Sequence, residues 1–121
     1  MSVAHEQLLE VIRLLALEPD EQAAAFPPFV DFVDELAVLF GDQYEVVTIQ
    51  KSLQPETDAR RLLDSIDETF KAMAGHHEFF VHDAISQRAE WRNIRANAKR
   101  LVVLLKLDPR PPTLSWVTYV R

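Results

Sequence analysis

The chain of 121 residues has no cysteine and only two glycines, and neither lysine nor arginine occurs between Leu14 and Gln50. Without cysteine there are no disulfides, thiolate metal sites or thiol nucleophiles, a composition that suits the cytoplasm. With so few glycines the chain has no glycine-rich loop to cradle a phosphate and no G-x-S-x-G nucleophile elbow. Sheet proteins spend glycine on tight turns and helical bundles need little of it, so the scarcity also argues for helices. No run of about 20 apolar residues occurs, and LVVLLKL is too short to span a bilayer. The opening MSVAHEQLLEVIRLLAL has no basic start or small-residue cleavage site and carries Glu6 and Glu10, so it reads as a structural helix rather than an export signal.

Against these absences stand seven prolines and an apolar content of 48%. Domains commonly run to about 100–150 residues, so a single core is expected. The prolines fall between apolar periodic stretches and divide the chain into about five helices. The first spans about Val3 to Leu17 with Ser2 as N-cap. Pro19 opens a short second helix that stops at FPP, and a connector over Phe26 to Val30 turns both of its phenylalanines inward. Asp31 caps a third helix reaching about Ser52. Pro55 starts a fourth, which Gly75 ends, and the last runs from about Arg88 to Leu107. Between the last two, HEFFVHDAIS reads as a short helix or helical turn carrying Phe79, Phe80, Val81 and Ile85 inward. The expected architecture is thus all-α: one helical domain over 1–113 and an extended tail over 114–121, docked on the body or on a neighbouring molecule.

Formal charge is −6 overall but unevenly distributed. Residues 1–83 hold five basic and 17 acidic side chains, net −12, whereas residues 84–121 hold eight and two, net +6. In the last helix Arg88, Arg92, Arg95, Lys99 and Lys106 fall along one flank. Either the two fields answer each other within the molecule, or the acidic sector is left for a basic partner. The pI near 5.1 and the lack of a glycine turn between paired helices argue against nucleic-acid binding.

Three constellations could carry chemistry. GHHEFFVHD, residues 75–83, contains three of the four histidines and two carboxylates. It superficially resembles the HExxH zinc motif, but His82 follows His77 by five positions, about 140° around a helix, and the match fails. His82–Asp83 resembles the doublet of the HD-type phosphohydrolases; the upstream histidine and downstream aspartate that family requires have no suitably placed counterparts. Asp31, Asp34 and Glu35, facing Asp64, Asp67 and Glu68, could hold magnesium as in all-α pyrophosphohydrolases. The second trio, however, is expected on the solvent side of its helix, whereas a metal-binding bundle turns its acids inward. The rings of Phe29, Phe32, Phe40 and Tyr44 read as core, not as a cofactor pocket.

Two segments, PPFVDFVDELAVLF (27–40) and AEWRNIRANAKRLVVLL (89–105), resemble a group of small bacterial all-helical proteins with a similar apolar-proline connector and a late W-x-x-I-R-x-x-A-K-x-L helix. Some of these look like immunity partners of secreted toxins. The resemblance covers roughly residues 8–106 and implies a fold and a class of partner, while fixing no functional residue. It implies an acidic helical face covering a basic toxin site, for which the region from Glu18 to Glu45 is the candidate.

The expected function is therefore a non-enzymatic, cytoplasmic protein-binding module that meets a basic partner, a toxin on the resemblance above, through Asp31, Asp34, Glu35, Asp42 and Glu45. No catalytic residue, metal ligand, cofactor or membrane contact is assigned. The competing expectation is a metal-dependent phosphohydrolase using the acidic pairs or the His76–Asp83 cluster.

Overall fold

The structure, a computed structural model, describes residues 3–49 and 57–118. It is all-helical among the described residues. The helices are α1 (Val3–Leu15), α2 (Pro19–Ala24), α3 (Phe32–Ile49), α4 (Asp58–Met73), α5 (Ala84–Gln87) and α6 (Ala89–Leu104), with a 3-10 turn at His77–Phe79. The expected Ser2 cap, the end of α3 beyond Ile49, Pro55 and the last three tail residues lie outside the described residues.

Helix α1 is the axis of the molecule. From Leu8 to Leu15 only Leu9 escapes full burial, and Glu10 and Arg13 are buried with their apolar neighbours. Such all-round burial requires cover on every side. Helices α3 and α6 pack against it, α4 packs against α6, and the segment after α6 closes the remaining flank. The carbonyls at the end of α1, which lack partners within the helix, are taken up from outside. Gln22 Nε2 donates to Leu14 and Leu15, and Arg95 Nε donates to Leu17 at 2.9 Å.

The core is crossed by a chain of rings. Phe40 of α3 lies 5.4 Å from Phe70 of α4, Phe70 meets Trp91 of α6 edge-on at 5.5 Å, and Phe80 closes on the other side of Trp91 at 6.3 Å. The Trp91 indole donates to the Phe79 carbonyl at 2.7 Å, which ties the 3-10 turn to α6 and satisfies the polar end of a buried ring.

Helix ends follow local chemistry. Thr57 caps α4 by accepting from the Arg60 N–H at 3.2 Å. Gly75 adopts a left-handed φ of 81° just past that helix, a conformation that favours glycine. Helix α6 stops at Leu104, short of Leu107, because Lys106 turns left-handed at φ 54°. There the Lys106 N–H donates to Val103 and the Leu107 N–H to Val102, which is the Schellman arrangement with lysine where glycine is usual.

Several expected positions are corrected. HEFFVHDAIS divides into the 3-10 turn and α5. Phe26 is buried but Phe29 is 48% exposed, because the prolines turn the connector outward between them. Val81 also faces solvent. Arg95, expected on a basic flank, is buried between α1 and α5, donating to the Leu17 and Ile85 carbonyls. The described part of the tail forms no strand; Leu114, Trp116 and Val117 pack partly against the core.

Candidate functional site

Helix α3 buries Phe32, Val33, Leu36, Leu39, Phe40 and Val47. Its opposite side is built by the spacing of Asp31, Asp34, Glu35, Val38, Gly41, Asp42 and Glu45. At about 100° per residue these seven fall within an arc of roughly 120° centred on Val38. Asp31, Asp34, Gly41, Asp42 and Glu45 are exposed, Glu35 is half-buried, and Val38 is 52% exposed. The structure therefore places all five sequence-predicted carboxylates on one continuous face. The sequence reading missed Val38 and Gly41 at its middle. The signal that could have found them is the same 100° spacing, applied to the apolar and small residues as well as to the acids.

None of the five carboxylates forms an ion pair within 4 Å among the described residues. Elsewhere among the described residues Glu6, Asp20, Glu21, Glu68, Asp83, Glu90 and Asp108 also form no ion pair, whereas other acids are answered. On α4, Asp58 pairs with Arg61 at 3.2 Å and Asp67 with Lys71 at 2.9 Å. Asp64 accepts from Arg60 at 2.8 Å and from the Tyr44 hydroxyl. Glu18, at the start of the candidate region, turns at the surface to Arg95 at 3.6 Å and Lys99 at 3.5 Å. Internal neutralisation thus accounts for Glu10, Glu18 and the α4 aspartates, and what sets α3 apart is that five carboxylates without an ion pair among the described residues share one of its faces. The trio expected on the solvent side of α4 departs from expectation, since Asp64 and Asp67 are half-buried and of the three only Glu68 is exposed. Arg60, Tyr44 and Lys71 hold them in place.

The α3 face carries electrostatic strain. Partial loss of water at the Asp34 carboxyl, then the Asp31 charge and a hydrogen bond with it, raise Asp34 above the usual aspartate range, with His77 pulling the other way. Glu35 is raised by partial burial first and by the Asp42 charge second. Asp31 Oδ1 also accepts from the Asp34 N–H at 3.5 Å, the capping contact expected of it, and its charge sits at the α3 N-terminus, where the helix dipole favours it.

One edge of the face adjoins the tail. A cleft of about 510 Å³ is lined by Glu35, Val38, Asp42, Trp116 and Val117. The tail is brought there by Glu10 of α1. Its carboxylate takes both Arg110 Nη atoms at 2.8 and 2.6 Å and the Thr113 N–H at 2.7 Å, while Arg13 Nη1 donates to the Asp108 carbonyl. Burial, which alone would raise Glu10, is outweighed by the Arg110 and Thr113 hydrogen bonds and by the charges of Arg110 and Arg13, so Glu10 is held below the usual glutamate range.

The histidine cluster is arranged differently. His76, His77, His82 and Asp83 are exposed around the 3-10 turn, with Phe79 and Phe80 pointing inward between them. The His82 ring sits edge-on to Phe32 at 5.3 Å, and His76 Nδ1 lies 3.7 Å from Glu78. Among the described residues no three His, Asp or Glu side chains are placed to hold a metal ion, and no described helix is long and apolar enough to cross a membrane. No protein-family model, curated protein or solved structure matches the chain.

Proposed function

We propose that the chain is a non-enzymatic binding protein that presents the α3 face to a basic surface on a protein partner. The observation that carries this reading is that five carboxylates with no ion pair among the described residues share one face of a single helix, while the α4 aspartates and Glu10 and Glu18 have cationic partners. Like charges held together cost self-repulsion, and a cationic partner relieves it. Val38 gives the face an apolar centre inside a charged border, the arrangement expected of an interface whose middle is dry and whose rim is wet. Glycine at position 41 removes a side chain from the exposed face and lets a partner approach the backbone.

The partner is proposed to be a toxin whose basic active site the acidic helix covers. Support for that version comes from the resemblance of residues 27–40 and 89–105 to immunity-type proteins together with the charge of α3. The test is an affinity capture with the wild-type chain and with Asp34→Lys/Glu35→Lys as parallel baits. A basic protein retained by the first and lost by the second supports the reading. Identical captures with both baits would refute it.

A further inference from the structure

On a different side of the molecule, the first turns of α4 lie beside the last turns of α6. Between them runs a groove of about 620 Å³ lined by Asp58, Arg61, Leu62, Lys99, Arg100, Val103 and Leu104. Val103 is 77% exposed and Leu104 44%, adjacent residues on the final turn of α6. Arg100 precedes them by three and four positions, so it borders both along the helix. It has no ion-pair partner among the described residues. Lys99 reaches Glu18 only at 3.5 Å, and the Arg61–Asp58 pair is exposed on both sides and thus weak. The groove has half-buried Leu62 within it and exposed Val103 and Leu104 along its α6 side, and its border holds three cations against the one carboxylate of Asp58, the reverse of the α3 face in charge.

We infer that this groove is a second docking site, for an acidic amphipathic helix of a protein partner. Leucine-type side chains at i and i+3 or i+4 of that helix would rest on Val103, Leu104 and Leu62, with its carboxylates toward Arg100, Lys99 and Arg61. Charge complementarity selects an anionic occupant, and shape selects a helix. A trough between two packed helices accepts a ridge of side chains, whereas a flat bilayer surface is better met by a protruding apolar edge. The inference goes beyond the α3 reading and does not depend on it, because no α3 residue lines the groove.

The test uses the full chain and a fluorescein-labelled peptide of glutamate and leucine, with leucines at helical spacing, against a peptide of the same composition with the leucines scattered. Anisotropy titration should show the patterned peptide binding roughly tenfold or more tighter than the scattered one. Arg100→Glu and Val103→Asp should each lose about that factor, and added salt should weaken the wild type. Both positions are exposed, and circular dichroism checks that the variants stay folded. Amide shifts in labelled protein should fall on α4 and α6 and leave Val38 and Asp42 unmoved. Equal binding of both peptides, unchanged affinity in the variants, or shifts confined to α3 would overturn the inference. So would capture by phosphatidylserine vesicles in the absence of peptide binding. Sedimentation of the wild type as a dimer that Arg100→Glu dissolves would assign the groove to a second copy and would equally overturn it.

Discussion

Replacing Glu10 by glutamine should loosen the segment that covers α1. The glutamate carboxylate is the common acceptor for Arg110 and for the Thr113 N–H, and Arg13 lies within 3.5 Å of it. Hydrogen bonds to a charged group contribute about 1.5–3 kcal/mol each. Three considerations reduce their sum. Glutamine retains one oxygen for Thr113, the Arg110 side chain is 43% exposed and can be rehydrated, and the interactions share one charge. The expected loss is about 2 kcal/mol, which for a chain of this size lowers Tm by about 6–10 °C. Its pH dependence follows from the lowered Glu10 value. A carboxyl whose folded value is depressed stabilises the fold above its unfolded value and loses that contribution as pH falls through the folded value. Urea unfolding followed by circular dichroism should therefore show a wild-type advantage at pH 7 that shrinks as the pH falls below the usual glutamate range and through the lowered folded value. Fluorescence of Trp116, whose indole is anchored to the Thr113 carbonyl, should report the released segment. A variant within about 0.5 kcal/mol of the wild type at pH 7, or one whose deficit persists unchanged in acid, would refute the clamp.

Other substitutions probe local conformation and charge. Gly41→Ala should raise stability by about 1 kcal/mol in thermal unfolding, because a Cβ there meets nothing within 4 Å and the position lies inside α3; if partner backbone approaches this point, the same change weakens association. Lys106→Gly should stabilise by about 0.5–1 kcal/mol, since the left-handed conformation costs a lysine more than the added chain entropy costs glycine. Glu35→Gln should be stabilising near neutral pH, with the gain disappearing in acid. A carboxyl whose folded value is raised disfavours the fold once it ionises and not while it is protonated, so the difference spans the window between the unfolded and the raised folded value. Added salt should reduce the gain by screening the charge of Asp42.

Much of the fold could be read from proline placement and helical spacing, because both act locally. The stripes Leu8–Val11–Ile12–Leu15 and Ile66–Phe70–Met73 are buried as their period requires. What the sequence could not show depends on long-range contacts. Glu10 and Arg110 are 100 residues apart, and nothing local marks a charged pair as the clamp on the central helix. Arg95 carries the spacing of a surface cation, yet it is drawn inward by carbonyls of Leu17 and Ile85 that only folding brings together. For the candidate face, the acids were legible from composition. Their lack of partners was not, since Asp64 and Asp67 look equally free in sequence and are paired in the fold. The Lys106 turn was hidden because lysine, unlike glycine, carries no signal for a left-handed residue.

The claim that the α3 face steers a cationic partner is tested most directly by stopped-flow association with the protein the wild-type bait retains, measured against ionic strength. We predict an on-rate that falls steeply as salt is added, and an Asp34→Lys/Glu35→Lys variant that associates at least about tenfold more slowly at low salt, with little further dependence on it. On-rates that match between wild type and variant across the salt range would contradict the account.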